Sequence, residues 1–461
     1  MLLDKKRVHF VGIGGYGMSA IARVLLDQGY VVTGSDVAEN KLVEKLMEHG
    51  AKITIGHDAS LVTGADTIVY SSSISPENVE RVAAAEQGIE ILHRSQMLAR
   101  ILNDKKGIAV AGAHGKTTTS SMIAQTLEIC GADPTYVIGG EIVGLKGNAK
   151  AGKTDLVVAE ADESDGSFLE YFPYIAVVTN IEPDHLENYG GDFENLKQAY
   201  RDFLGQVRSD GTAILCWDDA YVRDMAKEVK GSFVTYALEE PADFMAVNLR
   251  ENKRQITFTV QQGSEVLGDV TLQIPGKHNV ANALATVIAA LQVGIPFQAI
   301  ADALFQFQGA KRRFQVIGEV EEILVVDDYA HHPTEIDSTL KAAKAVEKRI
   351  VCVFQPQRYS RTHLLMKEFS EAFGEADEVV INSLYAPAGE QPIPGVSAER
   401  LTEMIQENSN ANTRFIPTKE EVIDYLIENT KPNDLVITMG AGDIWRVSHG
   451  LVPRLQDKYK A

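Results

Sequence analysis

The chain has 461 residues, is 45% hydrophobic and 23% charged, and carries a formal net charge of −20. This length predicts roughly two to four domains, and so acidic a surface argues against nucleic acid and anionic membranes as partners. The three cysteines are widely spaced, and no apolar stretch is long enough for a signal peptide or a membrane span. We therefore expect a cytoplasmic protein that binds small molecules, as a monomer or a weak homodimer.

Short runs rich in valine and isoleucine alternate with helical patterns, which is typical of parallel α/β layers. We predict three blocks over residues 1–105, 106–310 and 311–461, with junctions at 105–107 and 309–312 where glycine and lysine occur together. The predicted strands lie, in chain order, at 8–11, 31–34, 67–70, 108–111, 156–159, 175–179, a strand-rich stretch near 256–272, 323–326, 350–354, 378–381 and 435–438.

In the first block, a glycine-rich turn follows the first predicted strand. The chain continues as an amphipathic helix and a second strand that leads into Asp36. The glycines of the turn are Gly12, Gly14, Gly15 and Gly17. Such glycines let backbone amides approach a pyrophosphate at the helix N-terminus, and the acid suits a ribose hydroxyl. The pattern predicts a dinucleotide or nucleotide-sugar site; the alternative is a turn that only lets strand and helix pack.

The second block opens with AVAGAHGKTTTSSM. This stretch reads as a buried strand, a glycine turn and a helix beginning with lysine and threonines, the arrangement of a nucleoside triphosphate loop. We expect Gly112, Gly115 and the amides of Lys116 to Thr118 to form an anion nest. In this interpretation Lys116 reaches the β- and γ-phosphates and Thr117 holds Mg²⁺. The alternative is an ordinary turn with an exposed lysine.

Carboxylates and a histidine follow the next two predicted strands. Glu160 stands at the C-terminal end of one strand, the sheet edge at which ligands bind, and suits the Mg²⁺ of ATP. Asp162, Glu163 and Asp165 come next, and for these three a solvated acidic turn is favoured. His185 follows the second strand, where a metal role and a packing or capping role are equally open.

Amide side chains occur at the start of a helix near the end of the second block. Asn279 and Asn282 are one helical turn apart there, beside His278. Paired amides can donate to and accept from an adenine edge. Taken in isolation, helix capping by Asn279 is the favoured interpretation.

The third block carries polar residues after two of its strands. Asp328, Tyr329 and His331 follow the first strand, in the stretch DDYAHHP. Arg358 and Arg361 follow the next strand and are spaced as a fork for a carboxylate or a phosphate. Each stretch alone is weak evidence for a binding site, because most surface arginines bind no ligand.

Taken together, these stretches resemble the Mur ligase family, which builds the peptide of the bacterial cell wall. The resemblance covers nearly the whole chain and rests on VGIGGYGMS, GAHGKTTT, EADESDGSF, NIEPDHLENYG, PGKHNVANALA, AKRRFQ, DDYAHHPTE and FQPQRYSRT, in the family's order. The usual triphosphate loop has a glycine where Val110 stands here. The loop of this family has the form G-x-x-G-K-T, in which Val110 and His114 are both regular.

The resemblance implies three α/β domains: an N-terminal Rossmann-like domain, a central P-loop ATPase-like domain with a parallel sheet, and a C-terminal Rossmann-like domain. The first binds the UDP part of a sugar nucleotide, the second binds ATP, and the third closes on ATP and the amino acid. The implied reaction joins L-alanine to the lactyl carboxylate of UDP-N-acetylmuramate through an acyl phosphate. ADP and phosphate leave, and ATP and Mg²⁺ are required.

The resemblance also assigns residues to each ligand. For the sugar nucleotide they are Gly14, Gly15, Tyr16, Gly17, Asp36 and Ser71. For ATP they are Gly112, Ala113, His114, Gly115, Lys116, Thr117, Thr118, His278, Asn279, Asn282, Arg313 and Asp328. For the metal they are Thr117, Glu160 and His185. For the amino acid they are Tyr329, His331, Arg358 and Arg361. The expected catalytic set is Lys116, Glu160, His185, His331, Arg358 and Arg361.

One stretch departs from the family pattern. Several sister ligases carry a carbamate-modified lysine shortly after the Asp-His pair. KQAYRDF stands here instead, with Tyr200 and Arg201 near the expected place and Lys197 earlier in the helix. We therefore expect no carbamate, and a second metal would be held differently.

Three alternative functions remain at this point. The first glycine turn also suits a nicotinamide-dependent dehydrogenase, and the triphosphate loop also suits a nucleotide switch or motor without ligase activity. The third alternative is a sister ligase that adds a recycled tripeptide to the same sugar nucleotide. Tyr329 favours the addition of a single amino acid, because the tripeptide branch tends to have phenylalanine there.

Overall fold

The computed structural model describes residues 7–142, 144–145, 147–252, 255–386 and 390–460. They form two compact units, one built mainly from the chain up to Phe307 and the other mainly from Gln308 onward. Two short segments from the middle of the chain, Arg250–Thr257 and Leu272–Asn279, belong to the second unit. The first unit contains the first sheet and most of the central sheet, and the second contains the C-terminal sheet.

The first sheet has five parallel strands in the order β3-β2-β1-β4-β5. Its elements are β1 (Arg7–Val11), α1 (Tyr16–Asp27), β2 (Val31–Asp36), α2 (Lys41–Glu48), β3 (Lys52–Ile55), β4 (Thr67–Tyr70), α3 (Val79–Glu86), β5 (Glu90–His93) and α4 (Arg94–Asn103). Side chains alternate along β1, so that Phe10 joins one apolar layer and Val11 the other. The strand order reverses at β1, and the glycine turn therefore opens where such sheets bind ligands.

The central sheet has ten strands in the order β15-β14-β13-β12-β11-β10-β6-β9-β7-β8. Its elements are β6 (Lys106–Ala111), α5 (Lys116–Ile129), β7 (Thr135–Ile142), β8 (Gly147–Lys150), β9 (Leu156–Glu160), β10 (Ile175–Val178), α6 (Phe193–Gly205), β11 (Thr212–Cys216), α7 (Ala220–Ala226), β12 (Phe233–Ala237), β13 (Phe244–Asn252), β14 (Gln255–Gln262), β15 (Glu265–Leu272), α8 (Lys277–Gln292) and α9 (Phe297–Phe305). β6 lies between β10 and β9 and is parallel to both. β7 and β8 are antiparallel, so the sheet is mixed where a parallel one was predicted.

The third sheet has six strands in the order β16-β17-β21-β18-β19-β20. Its elements are β16 (Gln315–Val320), β17 (Ile323–Asp328), α10 (Pro333–Lys344), β18 (Arg349–Phe354), α11 (Tyr359–Leu364), α12 (Met366–Glu371), β19 (Glu378–Ile381), α13 (Ala398–Asn408), β20 (Thr413–Phe415), α14 (Lys419–Asn429), β21 (Asp434–Met439) and α15 (Trp445–Lys460). β16 is antiparallel to β17, and the other strand pairs are parallel. Apolar layers cover both faces of the sheet.

The three sheets confirm the predicted succession of α/β layers, and every predicted strand lies within an observed one or overlaps it. The exact block boundaries remain a prediction. Edge strands such as β3 were not predicted, because β3 is largely exposed and lacks a buried apolar run. Within the described ranges, no helix is both long and apolar enough to cross a bilayer.

Candidate functional site

The glycine turn after β1 is held by the end of β2. The backbone N–H groups of Gly12 and Ile13 donate to the carbonyl oxygen of Ser35, at 2.9 and 3.0 Å. The N–H of Gly14 donates to Asp36 Oδ2 at 2.7 Å. A Cβ atom on Gly14 would lie 2.9 Å from Asp36 Oδ2, so a side chain here would displace this carboxylate. The acid of the motif thus holds the turn, and its predicted contact with a ribose hydroxyl stays a prediction.

The other predicted sugar-nucleotide residues lie around this turn. Gly15 precedes α1, and Tyr16 is the first residue of the helix, with 57% of its surface exposed. A Cβ atom on Gly17 would lie 3.6 Å from Arg94 Nη1. Ser71 follows β4, with its hydroxyl 2.9 Å from that of Ser73. All of them lie at the carboxyl edge of the first sheet.

The loop after β6 has the backbone that a triphosphate loop needs. Gly112 has a φ of +139°, and a Cβ atom there would lie 2.0 Å from Thr179 Oγ1. Gly115 has a φ of +83° and precedes the first residue of α5, Lys116. Both glycines adopt conformations that side chains oppose. Val110, where other triphosphate loops have glycine, is a fully buried residue of β6.

Part of the loop is fixed by Asn180. The N–H of Ala113 donates to its carbonyl oxygen at 3.2 Å, and the N–H of His114 donates to its Oδ1 at 2.8 Å. These two amides are therefore engaged within the protein. The first amides of a helix have no acceptor within that helix, which leaves the anion nest to residues 116–118.

The ammonium group of Lys116 makes three contacts. It donates to the carbonyl oxygens of Gly112 and Ala113, at 2.5 and 3.3 Å, and to Glu163 Oε1 at 2.8 Å. Burial disfavours its charged form, but the carboxylates of Glu163, Asp162 and Glu160 together outweigh burial and raise the pKa of Lys116 above its ordinary value. The alternative of an exposed turn lysine is wrong.

The acidic loop after β9 differs from the solvated turn that its sequence favoured. Glu163 is buried, and its Oε2 atom has no hydrogen-bond partner within the described ranges. Burial raises the pKa of Glu163 to about 7, although Lys116 opposes the shift. Asp162 and Asp165 both accept from Arg94 Nη2, at 3.3 and 3.0 Å. The prediction was wrong for Glu163, which the fold buries, whereas Asp162 is partly exposed and Asp165 is exposed.

Glu160 ends β9 as predicted, at the same edge as the loop. Its Oε2 accepts from the hydroxyl of Thr117 at 3.2 Å, and its Oε1 accepts from the N–H of Gly139 at 2.7 Å. Burial raises the pKa of Glu160 above its ordinary value. The structure thus brings together two of the three predicted metal ligands, both of them oxygen donors of the kind that Mg²⁺ prefers.

His185, the third predicted metal ligand, lies in the loop after β10. It precedes a short 3₁₀ helix, Leu186–Tyr189, and makes no capping hydrogen bond to it. Its φ is +56°, and its Nε2 lies 3.5 Å from Asp184 Oδ2. The His185 side chain therefore does not cap the 3₁₀ helix, and its metal role stays a prediction.

Lys197, the residue nearest the carbamate position of sister ligases, is engaged elsewhere. Its ammonium pairs with Glu194 and lies over the rings of Phe193 and Tyr221. Tyr200 is fully buried, with no hydrogen-bond partner for its hydroxyl in the part of the chain that the structure describes. The expectation that no carbamate forms here stays a prediction.

The amide residues of α8 have separate positions. Asn282 Oδ1 accepts from the hydroxyl of Thr119 at 3.1 Å, and a Cβ atom on Gly115 would lie 2.7 Å from it. Asn282 thus lies against the triphosphate loop. In the second unit, Asn279 is buried and its Nδ2 donates to the carbonyl oxygen of Pro275 at 2.7 Å; as the third residue of α8 it lies inside the helix rather than at its N-cap. His278 is exposed.

At the end of β17, the predicted nucleotide and amino-acid residues are neighbours. Asp328 is buried and accepts from the N–H groups of Phe314 and Ala330, at 2.6 and 2.7 Å. Burial raises the pKa of Asp328 above its ordinary value. The guanidinium of Arg313 lies 5.4 Å from the ring centre of Tyr329. Asp328 therefore shapes this edge, and its ribose contact stays a prediction.

His331 is oriented by two acceptors. Its Nδ1 lies 3.0 Å from the carbonyl oxygen of Tyr329 and 3.1 Å from Glu335 Oε2. Both partners accept hydrogen bonds only, so Nδ1 carries a hydrogen. In the neutral ring, Nε2 is then the nitrogen with the free lone pair.

The two predicted arginines lie at α11. Arg358 precedes the helix with a φ of +67°, a backbone conformation that residues other than glycine seldom adopt. Its N–H donates to the carbonyl oxygen of Tyr385 at 2.9 Å, and its side chain is exposed. Arg361 lies one turn later and is partly buried.

Comparison with protein families agrees with these motifs over almost the whole chain. The Mur ligase family catalytic domain matches residues 7–106, the Mur ligase middle domain 110–290 and the Mur ligase glutamate ligase domain 312–442. This chain belongs to the Mur ligase family. The resemblance inferred from the sequence is thereby confirmed, and so is the three-domain α/β architecture.

Individual relatives are similar to this Mur ligase along their full length. A UDP-N-acetylmuramate–L-alanine ligase of Symbiobacterium thermophilum is 47% identical, covering 99% of this chain and 96% of the relative. A solved UDP-N-acetylmuramate-alanine ligase of Thermotoga maritima is 29% identical, with a TM-score of 0.82, covering 98% of this chain and 99% of its own. A murein peptide ligase of Psychrobacter arcticus is 25% identical, with a TM-score of 0.70, covering 97% and 98%.

Sequence reasoning missed three residues of this Mur ligase site: Arg94, Glu163 and Asn180. Arg94 lies at the start of α4, and no motif singled it out. Glu163 was treated as a surface acid. Asn180 directly follows the strand 175–179, a position at which polar residues were expected to reach the sheet edge, and this was the available signal.

Proposed function

We propose that this Mur ligase joins L-alanine to the lactyl carboxylate of UDP-N-acetylmuramate, converting ATP to ADP and phosphate. The observation that carries the choice of substrates is the 47% identity, over 99% of the chain, to a relative that bears this name. The phosphate loop and the carboxylate at the end of β9 carry the use of ATP.

The reaction requires activation of a carboxylate. A free carboxylate resists attack by an amine, because an oxide or hydroxide would have to leave. The lactyl carboxylate attacks the γ-phosphorus of ATP, the bond to the β,γ-bridging oxygen breaks, and ADP leaves. The amine of alanine then attacks the acyl phosphate, and phosphate departs as the amide forms. Closure around the acyl phosphate would exclude water.

The first unit supplies the groups that suit the phosphates. The amides of residues 116–118 stand at the start of α5, where they would bind an anion, and Lys116 would supply positive charge for the transferred phosphoryl group. Thr117 and Glu160, whose oxygens lie 3.2 Å apart, would hold Mg²⁺, with His185 as a further ligand. When bound, the ion neutralises charge on the phosphate oxygens.

The second unit supplies the groups that suit the amino acid. Arg358 and Arg361 present guanidinium groups for the carboxylate of alanine, which would fix the direction of its amine. His331 is the base that we assign to the ammonium proton, since its Nδ1 is held by acceptors and Nε2 is left to take up a proton. Arg313, Asp328, His278 and Asn279 are assigned to ATP on the family pattern.

A second candidate is the addition of a recycled tripeptide to the same acceptor. The likeness to the murein peptide ligase, at 25% identity, favours it as the main alternative. Tyr329 and the higher identity to the alanine-adding relative argue against it. A nicotinamide-dependent dehydrogenase or a simple nucleotide switch leaves the family match unexplained.

Phosphate release by the purified protein tests the proposal. ATP and Mg²⁺ are supplied with UDP-N-acetylmuramate and L-alanine separately and together, and then with the tripeptide in place of alanine. We expect release only when both the sugar nucleotide and alanine are present. Release with the tripeptide alone as amine would assign the second function. Release from ATP irrespective of either acceptor would overturn both.

A further inference from the structure

A run of contacts leads from the glycine turn of the first sheet to the loop after β9. Arg94 Nη1 lies beside Gly17, 3.6 Å from where its Cβ would be. The other terminal nitrogen of Arg94 donates to Asp162 and Asp165, at 3.3 and 3.0 Å. Ser72, in the loop after β4, also donates to Asp165, at 3.0 Å. The acidic loop is thus anchored to the part of the first sheet that the sugar nucleotide would occupy.

The same loop reaches the triphosphate loop at its other side. Glu163 follows Asp162 directly, and its carboxylate lies 2.8 Å from Lys116 Nζ. Lysine has three donor hydrogens, and Lys116 uses all three on Glu163 and two carbonyl oxygens. A phosphate oxygen can accept from this ammonium only by replacing one of these partners.

Glu163 is the partner with which a phosphate competes most directly. Above the Glu163 pKa of about 7 both are anions, and the side chain of Glu163 is only 4% exposed, so water screens its attraction for Lys116 weakly. The remaining oxygen, Oε2, has no hydrogen-bond partner among the described residues. The carboxylate therefore depends on Lys116 for compensation of its charge, and it resists losing that contact.

We propose that the loop 162–167 couples the sugar-nucleotide site to the ATP site, with Glu163 as a positioning residue that withholds Lys116 until the acceptor binds. An anionic acceptor beside Gly17 competes with Asp162 and Asp165 for Arg94. The loop then loosens, and Lys116 turns from Glu163 to the phosphates. ATP is thereby protected from hydrolysis when no acceptor is present. The identity of the acceptor rests on the proposed function, whereas the contact between Glu163 and Lys116 does not.

The first test is the affinity for the β,γ-imido analogue of ATP with Mg²⁺, measured by calorimetry without acceptor at a pH above 7, where Glu163 is ionised. Glu163→Gln removes the competing charge and should tighten binding about tenfold. The control Glu128→Gln removes a similar ion pair, with Lys150 at 2.6 Å, at the far end of α5, and should change nothing. Unchanged or weaker binding in Glu163→Gln overturns the role of Glu163.

A second variant guards against a folding defect. Glu163→Asp keeps the charge but shortens the side chain, so its affinity for the analogue should lie between those of the wild type and Glu163→Gln. If Glu163→Gln does not fold, the aspartate variant decides: tighter binding than the wild type supports the proposal, and equal or weaker binding overturns it.

The second test measures coupling between the two sites. In the wild type, saturating UDP-N-acetylmuramate should raise the affinity for the analogue by about fivefold or more, and the analogue should raise that for the acceptor equally. Arg94→Gln should abolish this rise in affinity. The control Arg100→Gln, which breaks a pair with Glu90 on the same helix, should retain it. If Arg94→Gln retains the full rise in affinity, the proposed coupling is overturned.

Failure of the proposed function would be distinguishable from failure of this inference. If the wild type binds no UDP-N-acetylmuramate, the proposed acceptor and the coupling both fall. The comparison of Glu163→Gln with the wild type needs only the ATP analogue, and it still decides whether Glu163 competes for Lys116.

Discussion

The two glycine turns of the first unit have the same backbone plan and differ in charge. Each follows a central parallel strand and opens a helix. In the first turn an acid, Asp36, receives the amide of Gly14, and no lysine is present in the turn. In the second turn a lysine, Lys116, enters from the helix and is paired with Glu163. The backbone makes both turns suitable for phosphates, and the surrounding charges decide which phosphate chemistry follows.

Among the variants that test this comparison, replacement of Lys116 should have the largest effect on activity. Lys116→Met removes the positive charge from the transferred phosphoryl group and should lower kcat by about 10³-fold. The affinity for UDP-N-acetylmuramate without ATP should not fall, because the first turn does not contact Lys116 and loss of the pair with Glu163 only loosens the loop 162–167. Steady-state kinetics and calorimetry measure both quantities, with Lys150→Met as the control. A comparable loss of acceptor affinity would contradict separate roles for the two turns.

Adding one methyl group to the second turn should have the next largest effect. Gly112→Ala places a Cβ atom 2.0 Å from Thr179 Oγ1 at a φ of +139°, so the loop must shift. A displacement of the phosphate groups by about 1 Å would lower kcat/KM about 100-fold. Gly205→Ala is the control in the same unit, since nothing lies within 4 Å of its Cβ position. Equal losses in the two variants would show that the clash with Thr179 is not the cause.

Removing the acid of the first turn should have a moderate effect confined to the acceptor. Asp36→Ala leaves the amide of Gly14 without its acceptor and should raise KM for UDP-N-acetylmuramate about tenfold, the equivalent of one charge-assisted hydrogen bond. KM for ATP should not change. Asp58→Ala serves as the control, because Asp58 caps a short 3₁₀ helix, Ala59–Val62, between β3 and β4 of the same sheet. A rise in KM for ATP would count against this assignment.

The pH dependence of stability should show the smallest effect. The pKa of Glu163 is raised from its unfolded value of 4.5 to about 7, so the folded chain binds the extra proton between these values. The contribution to stability is therefore present below pH 4.5 and lost as the pH rises to 7, by up to about 3 kcal/mol. Denaturant unfolding of Glu163→Gln should show less loss over this range than the wild type does. Parallel pH profiles would contradict the raised pKa.

Local sequence patterns predicted the two turns and many of the strands, although not the buried β11, because these features depend on neighbouring residues. Buried apolar runs gave the strands, and glycines at fixed offsets gave the turns. The burial of Glu163 and the role of Arg94 were not predictable in this way, since Arg94 meets Asp162 across 68 residues of chain. We would expect the same acidic residues to form a solvated turn if α4, which carries Arg94, lay elsewhere. Tertiary contacts, rather than local propensity, decide such residues.

Direct competition between the two amines tests the proposed function most closely. The protein is incubated with ATP, Mg²⁺, UDP-N-acetylmuramate and equal amounts of L-alanine and the tripeptide, and the nucleotide-sugar product is weighed by mass spectrometry. We predict a product heavier than the acceptor by one alanyl residue. A product heavier by the tripeptide, or an unchanged acceptor beside newly formed ADP, would contradict the account.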